Sequence, residues 1–222
     1  MDGLHPKLPV GVPLRHNRYL QGLLAVYAVF WGLLAVAPVS RETWLLENLL
    51  VFALVGLLAA THRRFVFSNA SYTLIFAFLM LHAVGSHYTY SAVPAGEWLR
   101  EALGLERNHY DRVVHFAFGL LFGYPLREIT LRVGHVHGGW SHVVPVMAVL
   151  ATSSFYEIIE SWAARLVDPD LGIAFVGAQG DIWDGQKDMT LALVGCLIAL
   201  AAGEWHRRRK GHELYVGPER AA

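Results

Sequence analysis

Acids and histidines recur in this sequence at spacings that place them side by side on helices. Residues three or four positions apart share one face of an α-helix, so Asp111 would lie beside His115, and Glu157 beside Glu160. Carboxylates next to neutral imidazoles are ligands that suit a hard or borderline divalent cation. Without a cation, two close carboxylates would share a proton and give a general acid beside a general base. The spacing therefore predicts a metal site, acid–base catalysis, or both.

A third acidic group strengthens this prediction. Asp181, Asp184 and Asp188 are spaced i, i+3 and i+7, which makes one stripe if the stretch is helical. The candidate catalytic residues are Asp111, His115, Glu157, Glu160, Asp184 and Asp188. The candidate metal ligands are His115, Glu157, Glu160, Asp181, Asp184 and Asp188. Polar residues predicted to orient these ligands or a substrate are Glu47, His82, His87 and His109.

The composition indicates what kind of protein must position these residues. Of 222 residues, 55% are hydrophobic and only 16% are charged, and the mean hydropathy of +0.37 is too apolar for a water-soluble chain. Eighteen basic residues balance eighteen acidic ones, so no nucleic-acid partner is expected. The single cysteine, Cys196, excludes an internal disulfide and a cysteine-based zinc site. No phosphate-binding loop is present, and neither a nucleotide nor a haem cofactor is expected.

Six apolar segments predict an all-α bundle of about six transmembrane helices. A span needs about 20 largely apolar residues. Charge-free gaps predict helices at roughly 20–39, 69–88 and 140–163, and the run 44–60 carries one acid, Glu47. The runs 113–126 and 189–203 are too short unless flanking polar residues enter the helix, so Asp111 or Arg127, and Asp184 or Asp188, should lie at the membrane edge.

Lysine and arginine in the short loops predict the orientation. With the N-terminus inside, twelve basic residues are cytoplasmic and six lie outside, which favours two cytoplasmic termini. The predicted organisation is a cytoplasmic segment 1–19, one six-helix domain 20–205 and a basic cytoplasmic tail 206–222. A cleaved signal peptide is the alternative for the first segment, but Pro38 directly after the small residues 35–37 disfavours cleavage.

On this topology most ionisable residues near the membrane converge on the outer leaflet. Buried acids are costly unless they are paired, coordinated or hydrated, so they usually face the bundle interior. A structural salt-bridge network is the competing interpretation, with Arg112, Arg165 and Lys187 as available partners. Residues 98–105 could form a short interfacial helix, and Tyr156 and the tryptophans at 140, 162 and 183 are interpreted as interfacial aromatics.

These stretches resemble the YjdF-type family of bacterial inner-membrane proteins over residues 43–201. The motifs that carry the resemblance are His87-Tyr-Thr-Tyr90, Arg107-Asn-His-Tyr-Asp-Arg112 with His115-Phe116, Tyr156-Glu157 with Glu160, and Gln179-Gly-Asp-Ile-Trp-Asp184 with Asp188-Met189. The resemblance implies an inner-membrane location and the importance of these residues as a group, but no reaction. A weaker resemblance, through Asp111-Arg-x-x-His115-Phe116, is to VanZ-like membrane proteins; the sequence departs from their pattern at Asp188, where asparagine would be usual.

Three functions follow from these features. The first is a metal-dependent enzyme, with a divalent cation as cofactor, acting on a lipid or lipid-linked envelope substrate at the outer leaflet. The second is a transporter or proton- or ion-coupled carrier that uses the same cluster, although the apolar inner halves of several helices offer no continuous polar path. The third is a non-catalytic membrane scaffold in which the acids serve folding. The expected partners are the lipid bilayer and a lipid or lipid-linked substrate, and the sequence leaves the oligomeric state open.

Overall fold

Seven α-helices make up the described part of the chain in a computed structural model that describes residues 11–166, 172, 176 and 178–213. A short 3₁₀ turn, Leu14–His16, precedes them, and no strand occurs among the described residues. The helices are α1 (Arg18–Leu34), α2 (Arg41–Thr61), α3 (Asn69–Tyr88), α4 (Pro94–Leu103), α5 (Tyr110–Arg132), α6 (Trp140–Leu166) and α7 (Asp184–Lys210). The all-α prediction is confirmed over this part of the chain.

Local sequence explains where several helices begin and end. The side chains of Asn17, Ser40 and Ser68 each accept a backbone N–H at the start of α1, α2 and α3, which satisfies a donor that has no partner inside the helix. The first helix is shorter than predicted and ends at Leu34 rather than near residue 39. Ala37 has a φ of 48°, and the next residue, Pro38, has no N–H to continue a helix.

Four helices, α2, α3, α6 and α7, are long and apolar enough to cross a membrane among the described residues. Helix α1 is apolar but has 17 residues, and α5 is not among the four, since charged residues occupy both of its ends. The two short apolar runs of the sequence lie inside longer helices, and both helices extend into their polar flanks as expected. The chain is a helical membrane protein; the count of six spans stays a prediction.

Helix α5 is the centre of the bundle and packs against α3, α6 and α7. Its contact with α7 is closest at two glycines. A Cβ on Gly119 would lie 1.8 Å from the Ala192 carbonyl oxygen, and one on Gly195 would lie 2.2 Å from the Phe116 carbonyl oxygen. Only residues without a side chain allow the two backbones to approach this closely. This crossing fixes how the first turns of α5 and α7 face each other.

Two apolar clusters and one polar cluster hold the rest of the bundle. Val149, Ala192, Cys196 and Leu200 are buried between α6 and α7, and a second apolar cluster joins α1 and α2 to α3. At the opposite end of α5 from Asp111, the fully buried Glu128 accepts hydrogen bonds from the Ser68 amide and hydroxyl and from the Ser71 hydroxyl, and forms a salt bridge with Arg132. This polar cluster ties the start of α3 to the end of α5.

Helix α4 confirms the predicted short helix between α3 and α5. Its amphipathic sequence leaves Trp98 and Leu103 largely exposed, while Glu97 and Arg100 form a salt bridge on its polar face. A Cβ on Gly96 would lie 1.9 Å from the Asn108 side-chain oxygen. Asn108 is itself buried and donates to the Val93 carbonyl, so α4 is held against the start of α5.

Candidate metal centre

Asp111, His115 and Asp188 form a buried cluster where the first turns of α5 and α7 meet. Each residue offers one ligand atom, and these atoms lie within 4.8 Å of one another. Asp111 and His115 are one turn apart on α5, and the close α5–α7 crossing brings Asp188 to them. We call Asp111, His115 and Asp188 the metal triad. It unites one pair that the sequence spacing predicts with one acid from the stretch 181–188.

Glu157 of α6 adds a third carboxylate beside the metal triad. The His115 Nε2 atom lies 3.6 Å from Asp111 Oδ1 and 3.6 Å from Glu157 Oε1. A Cβ on Gly185 would lie 2.7 Å from Glu157 Oε2, so the absence of a side chain there leaves room for this carboxylate. Three helices therefore supply ligands around a single imidazole.

Three carboxylates meet a single imidazole at this point, and Arg107 and Arg112 bind the neighbouring acids. Within the described ranges, neither Asp111 nor Glu157 nor Asp188 forms a salt bridge with lysine or arginine. Asp188 is 2% exposed, and among the residues that the structure describes its Oδ1 atom and the buried Oε1 atom of Glu157 have no hydrogen-bond donor. Buried carboxylates left in this way are costly unless protons or a cation compensate them. The cluster is thus chemically suited to a divalent cation.

The other two acids of the stretch 181–188 bind arginines instead. Asp184, the first residue of α7, accepts from Arg107 Nη1 at 2.5 Å and from Arg112 Nη2 at 3.1 Å. Asp181 precedes the helix, so the three acids do not form one helical stripe as the sequence interpretation required. Asp181 forms salt bridges with Arg112 and Lys187. Asp181 and Asp184 thus belong to a salt-bridge network, as the competing interpretation of the sequence has it, whereas the surroundings of Asp188 suit a metal ligand.

A polar cleft of about 580 Å³ opens beside these salt bridges. We call it the basic cleft. The charged and titratable residues that line it are Glu106, Arg107, His109, Arg112, Asp181 and Lys187. Lys187 and the backbone N–H of Trp183 donate to Asp181 and hold the pKa of that carboxyl well below its usual range. Burial, with Arg112 and Arg107 nearby, lowers the pKa of His109, whose Nδ1 atom lies 3.3 Å from Arg112 Nη1.

The turn that carries Asp181 is positioned by reciprocal hydrogen bonds. The backbone N–H of Asn108 donates to Gln179 Oε1 at 3.0 Å, and Gln179 Nε2 donates to the backbone carbonyl of Asn108 at 2.9 Å. Arg107 Nη1 also donates to the Ala178 carbonyl. Sequence reasoning did not place Arg107, Asn108 or Gln179 in the site, although all three stand in the motifs that carry the family resemblance. Their presence in these motifs is the feature of the sequence that could have identified them as site residues.

A second polar layer lies next to the metal triad and deeper in the protein. Tyr156 donates to Glu47 Oε2 at 3.1 Å, and its ring contacts the His115 ring edge to face at 5.7 Å. The Tyr90 hydroxyl lies 2.5 Å from His82 Nδ1, and both residues are buried, as is Glu160. The Tyr156 hydroxyl thus binds a buried acid, and the interfacial position of this residue stays a prediction. Glu47 thus reaches His115 through Tyr156, and His82 contacts Tyr90; their supporting role stays a prediction.

Two predicted supporting histidines lie away from the metal triad. His87 contacts the Leu34 carbonyl oxygen through Nδ1 at 2.7 Å, which ties the end of α3 to the end of α1. His109 is the residue before α5 and lines the basic cleft. Neither belongs to the group of residues whose ligand atoms converge. Glu160 is also outside that group, although it is buried one turn after Glu157.

Comparison with known proteins identifies the family. Residues 19–209 match the family described as "Predicted membrane protein (DUF2238)". The chain is 44% identical over 162 residues to the inner membrane protein YjdF of Escherichia coli (strain K12), which covers 72% of this chain and 77% of that protein. No solved structure matches the chain. With four helices able to cross a membrane, the protein is a multi-pass inner-membrane protein. Because the match spans nearly the whole described chain, the protein belongs to the DUF2238 family of membrane proteins, the YjdF-type family.

Proposed function

We propose that this protein is a divalent-metal-dependent enzyme of the inner membrane that acts on a lipid or lipid-linked envelope substrate. Asp111, His115 and Asp188 hold the ion, and Glu157 completes its coordination or acts as the general base. The observation that carries the proposal is the buried Oδ1 atom of Asp188, which has no hydrogen-bond partner among the described residues and lies beside two further carboxylates and an imidazole. A bound cation would activate water or clamp a phosphate group.

The ligand distances support the proposal. Zinc binds nitrogen and oxygen at about 2.0–2.2 Å, so two ligands of a tetrahedral ion lie about 3.4 Å apart. The two separations from His115 Nε2 are each 3.6 Å, to Asp111 and to Glu157. These two separations are within about 0.2 Å of the tetrahedral spacing, and the ligand atom of Asp188 lies within 4.8 Å of those of Asp111 and His115. Mixed carboxylate and imidazole ligands equally suit manganese, so the ligand set favours divalent metals as a class rather than zinc alone.

The proposed membrane arrangement has six spanning helices and two cytoplasmic termini. Helices α1 and α5 would then cross the bilayer with the four longer or more apolar ones, and the excess of basic residues would lie in the cytoplasm. In this arrangement the beginnings of α2, α5 and α7 and the ends of α3 and α6 lie at the outer leaflet. The metal triad and the basic cleft would therefore face the envelope side, where a lipid-linked substrate is available.

Metal binding by purified protein tests the first part of the proposal. Protein stripped with a chelator is titrated with Zn²⁺, Mn²⁺ and Mg²⁺, and bound metal is measured by mass spectrometry and calorimetry. Loss of an outer ligand partner typically costs about 10- to 100-fold in metal affinity, so Asp188→Asn, which removes a ligand itself, should cost at least that much. Glu42→Gln, at an exposed acid in the first turn of α2, is the matched control. Equal metal affinity of Asp188→Asn and the wild-type protein would refute the site.

Thermal stability separates this function from the scaffold alternative. If the acids serve folding alone, Asp188→Asn should lower the melting temperature and the protein level. If they serve a metal, Asp188→Asn should raise the melting temperature of metal-free protein, since it removes a buried uncompensated charge. The same variant should abolish the further rise that added metal gives the wild type. A drop in stability without metal would support the scaffold.

Catalysis is tested on membrane lipids. Wild-type and Asp188→Asn protein are incubated with an inner-membrane lipid extract, with metal or with chelator, and the lipids are followed by mass spectrometry. A species consumed by the metal-loaded wild type alone would identify the substrate. Binding of metal without any lipid turnover would refute the enzymatic part while leaving the metal site.

The buried Tyr156–Glu47 contact is the observation that favours the carrier alternative, because it extends the polar groups beyond the metal triad. Against it, the apolar cluster of Val149, Ala192, Cys196 and Leu200 occupies the interior between α6 and α7. Proteoliposome flux that depends on Glu47 and on a pH gradient would favour the carrier over the enzyme.

A further inference from the structure

Three basic side chains of the basic cleft converge on one carboxylate. Asp181 Oδ2 accepts a hydrogen bond from Arg112 and one from Lys187 at 2.5 Å, and Arg107 Nη1 lies 3.9 Å away. Asp181 is also hydrogen-bonded to the backbone N–H of Trp183 at 3.0 Å. Two arginines, a lysine and a backbone N–H around one anion are the donors that proteins use to bind a phosphate group.

Asp181 can leave this position without disturbing the helix. It lies in the turn before α7 and accepts through its side chain, while the Asp184 amide bonds to its carbonyl. Rotation of the side chain would free Lys187 and the Trp183 amide and would leave α7 intact. Arg112 has spare donor capacity as well, because its Nε atom has no acceptor among the described residues. The cations are thus held by an anion that a ligand could replace.

We propose that the basic cleft binds the phosphate headgroup of a lipid, whose anionic oxygens replace the Asp181 carboxylate on Arg112 and Lys187. This inference rests on the proposed function and names the substrate class as a phosphate-bearing lipid. The cleft adjoins the metal triad, since Arg112 follows Asp111 directly and binds Asp184, one turn before Asp188. A headgroup held by the arginines would therefore lie next to the ion.

Exposed apolar side chains that are close in sequence to residues lining the cleft favour a lipid over free phosphate. Ile182 and Trp183 follow Asp181 and are 85% and 59% exposed. On α4, Trp98 and Leu103 are also largely exposed, and Gly104, directly after that helix, lines the cleft. Tryptophan is enriched at the level of lipid headgroups, where its ring contacts both the apolar and the polar region. A lipid would satisfy the apolar rim and the cationic wall together.

Binding measurements with three soluble probes test the inference. Detergent-purified protein, with metal and with chelator, is titrated by calorimetry with inorganic phosphate, dihexanoyl phosphatidic acid and dihexanoyl phosphatidylcholine. Lys187→Gln should weaken phosphatidic acid binding roughly tenfold, as expected for loss of one charge-assisted contact. Asp181→Asn should strengthen it, because the competing carboxylate is neutralised. Lys187 is half-exposed, so its replacement leaves folding intact, and Arg100→Gln on α4 is the control outside the cleft.

The opposite effects of the two variants distinguish binding from a structural role. Tighter binding by Asp181→Asn with weaker binding by Lys187→Gln supports the proposal. Equal binding by all variants, weaker binding by both, or binding of inorganic phosphate alone overturns the lipid headgroup site. Phosphatidic acid binding that survives chelation in a protein that binds no metal would refute the metal-dependent enzyme and keep the cleft. Metal binding without anion binding would refute the headgroup site and leave the proposed metal-dependent enzyme standing.

Discussion

The α5–α7 crossing at Gly119 yields the most direct prediction about the metal triad. A methyl group on Gly119 would lie 1.8 Å from the Ala192 carbonyl oxygen, 2.7 Å from the Ala192 carbonyl carbon and 2.8 Å from the Cys196 amide nitrogen. All three atoms belong to the backbone of α7, so no side-chain rotation can relieve the overlap. An ordinary carbon–oxygen contact is about 3.3 Å. Gly119→Ala must therefore push the helices apart by about 1.5 Å at this level.

That displacement acts on the metal triad because His115 lies one turn before Gly119 and Asp188 lies one turn before Ala192. Two ligands at about 2.1 Å from one ion lie at most about 4.2 Å apart. The triad's ligand atoms now lie within 4.8 Å of one another, so an added separation of about 1.5 Å between the helices takes Asp188 out of reach of an ion held by Asp111 and His115. We expect metal affinity to fall at least 100-fold. Overpacking should also lower the free energy of unfolding by about 1–3 kcal/mol.

Calorimetric metal titration and thermal unfolding in detergent measure both effects. Gly203→Ala is the matched control on α7, because its nearest atom would be Tyr124 Cδ2 at an ordinary 3.5 Å. Gly123→Ala is an intermediate case, with Ala199 Cβ at 3.1 Å and Cys196 Sγ at 3.3 Å: the sulfur can rotate away, whereas the Ala199 Cβ moves only with its backbone. Wild-type metal affinity and stability in Gly119→Ala would show that the crossing does not set the triad's geometry.

Three further predictions follow from individual contacts. Gly185→Ala should displace the Glu157 carboxylate, because the new methyl group would lie 2.7 Å from Oε2; metal calorimetry should give a weaker affinity, and an unchanged value would exclude Glu157 as a ligand. Glu128→Gln should lower the free energy of unfolding by about 3–5 kcal/mol, since it breaks a fully buried ion pair; denaturant titration measures this, with metal affinity unchanged as the control. The pKa of Asp181 in the folded protein lies below its unfolded value near 3.9. Its salt bridges therefore contribute fully to the stability of the folded protein at pH values above the unfolded pKa, and this contribution is lost as the pH falls through the folded pKa. The melting-temperature difference between the wild type and Asp181→Asn should accordingly stay constant from about pH 8 to about pH 5; a difference that shrinks across this range would contradict the assignment.

Short-range spacing predicted part of the site because helical periodicity is a local property. Asp111 and His115 are four residues apart on one helix, and the structure keeps them on one face. The same rule failed for Asp181, because the helix begins only at Asp184. Helix ends depend on capping and tertiary contacts, and spacing does not reveal them. Spacing likewise does not reveal that the Tyr156 hydroxyl donates to Glu47, 109 positions away along the chain.

The sequence by itself determined the class of protein and the chemistry that is available. Its apolar segments require helices in a membrane, since only closed backbone hydrogen bonding is tolerated there, and its acids and histidines occur in pairs at helical spacing. The tertiary structure decided which of those acids share a site. Asp184 forms salt bridges with Arg107 and Arg112, whereas Asp188 lies beside His115 and forms no salt bridge with lysine or arginine in the described part of the chain. The reason is physical: two glycines let α5 and α7 approach closely, and which side chains then meet depends on helix separation and rotation, which local spacing does not contain.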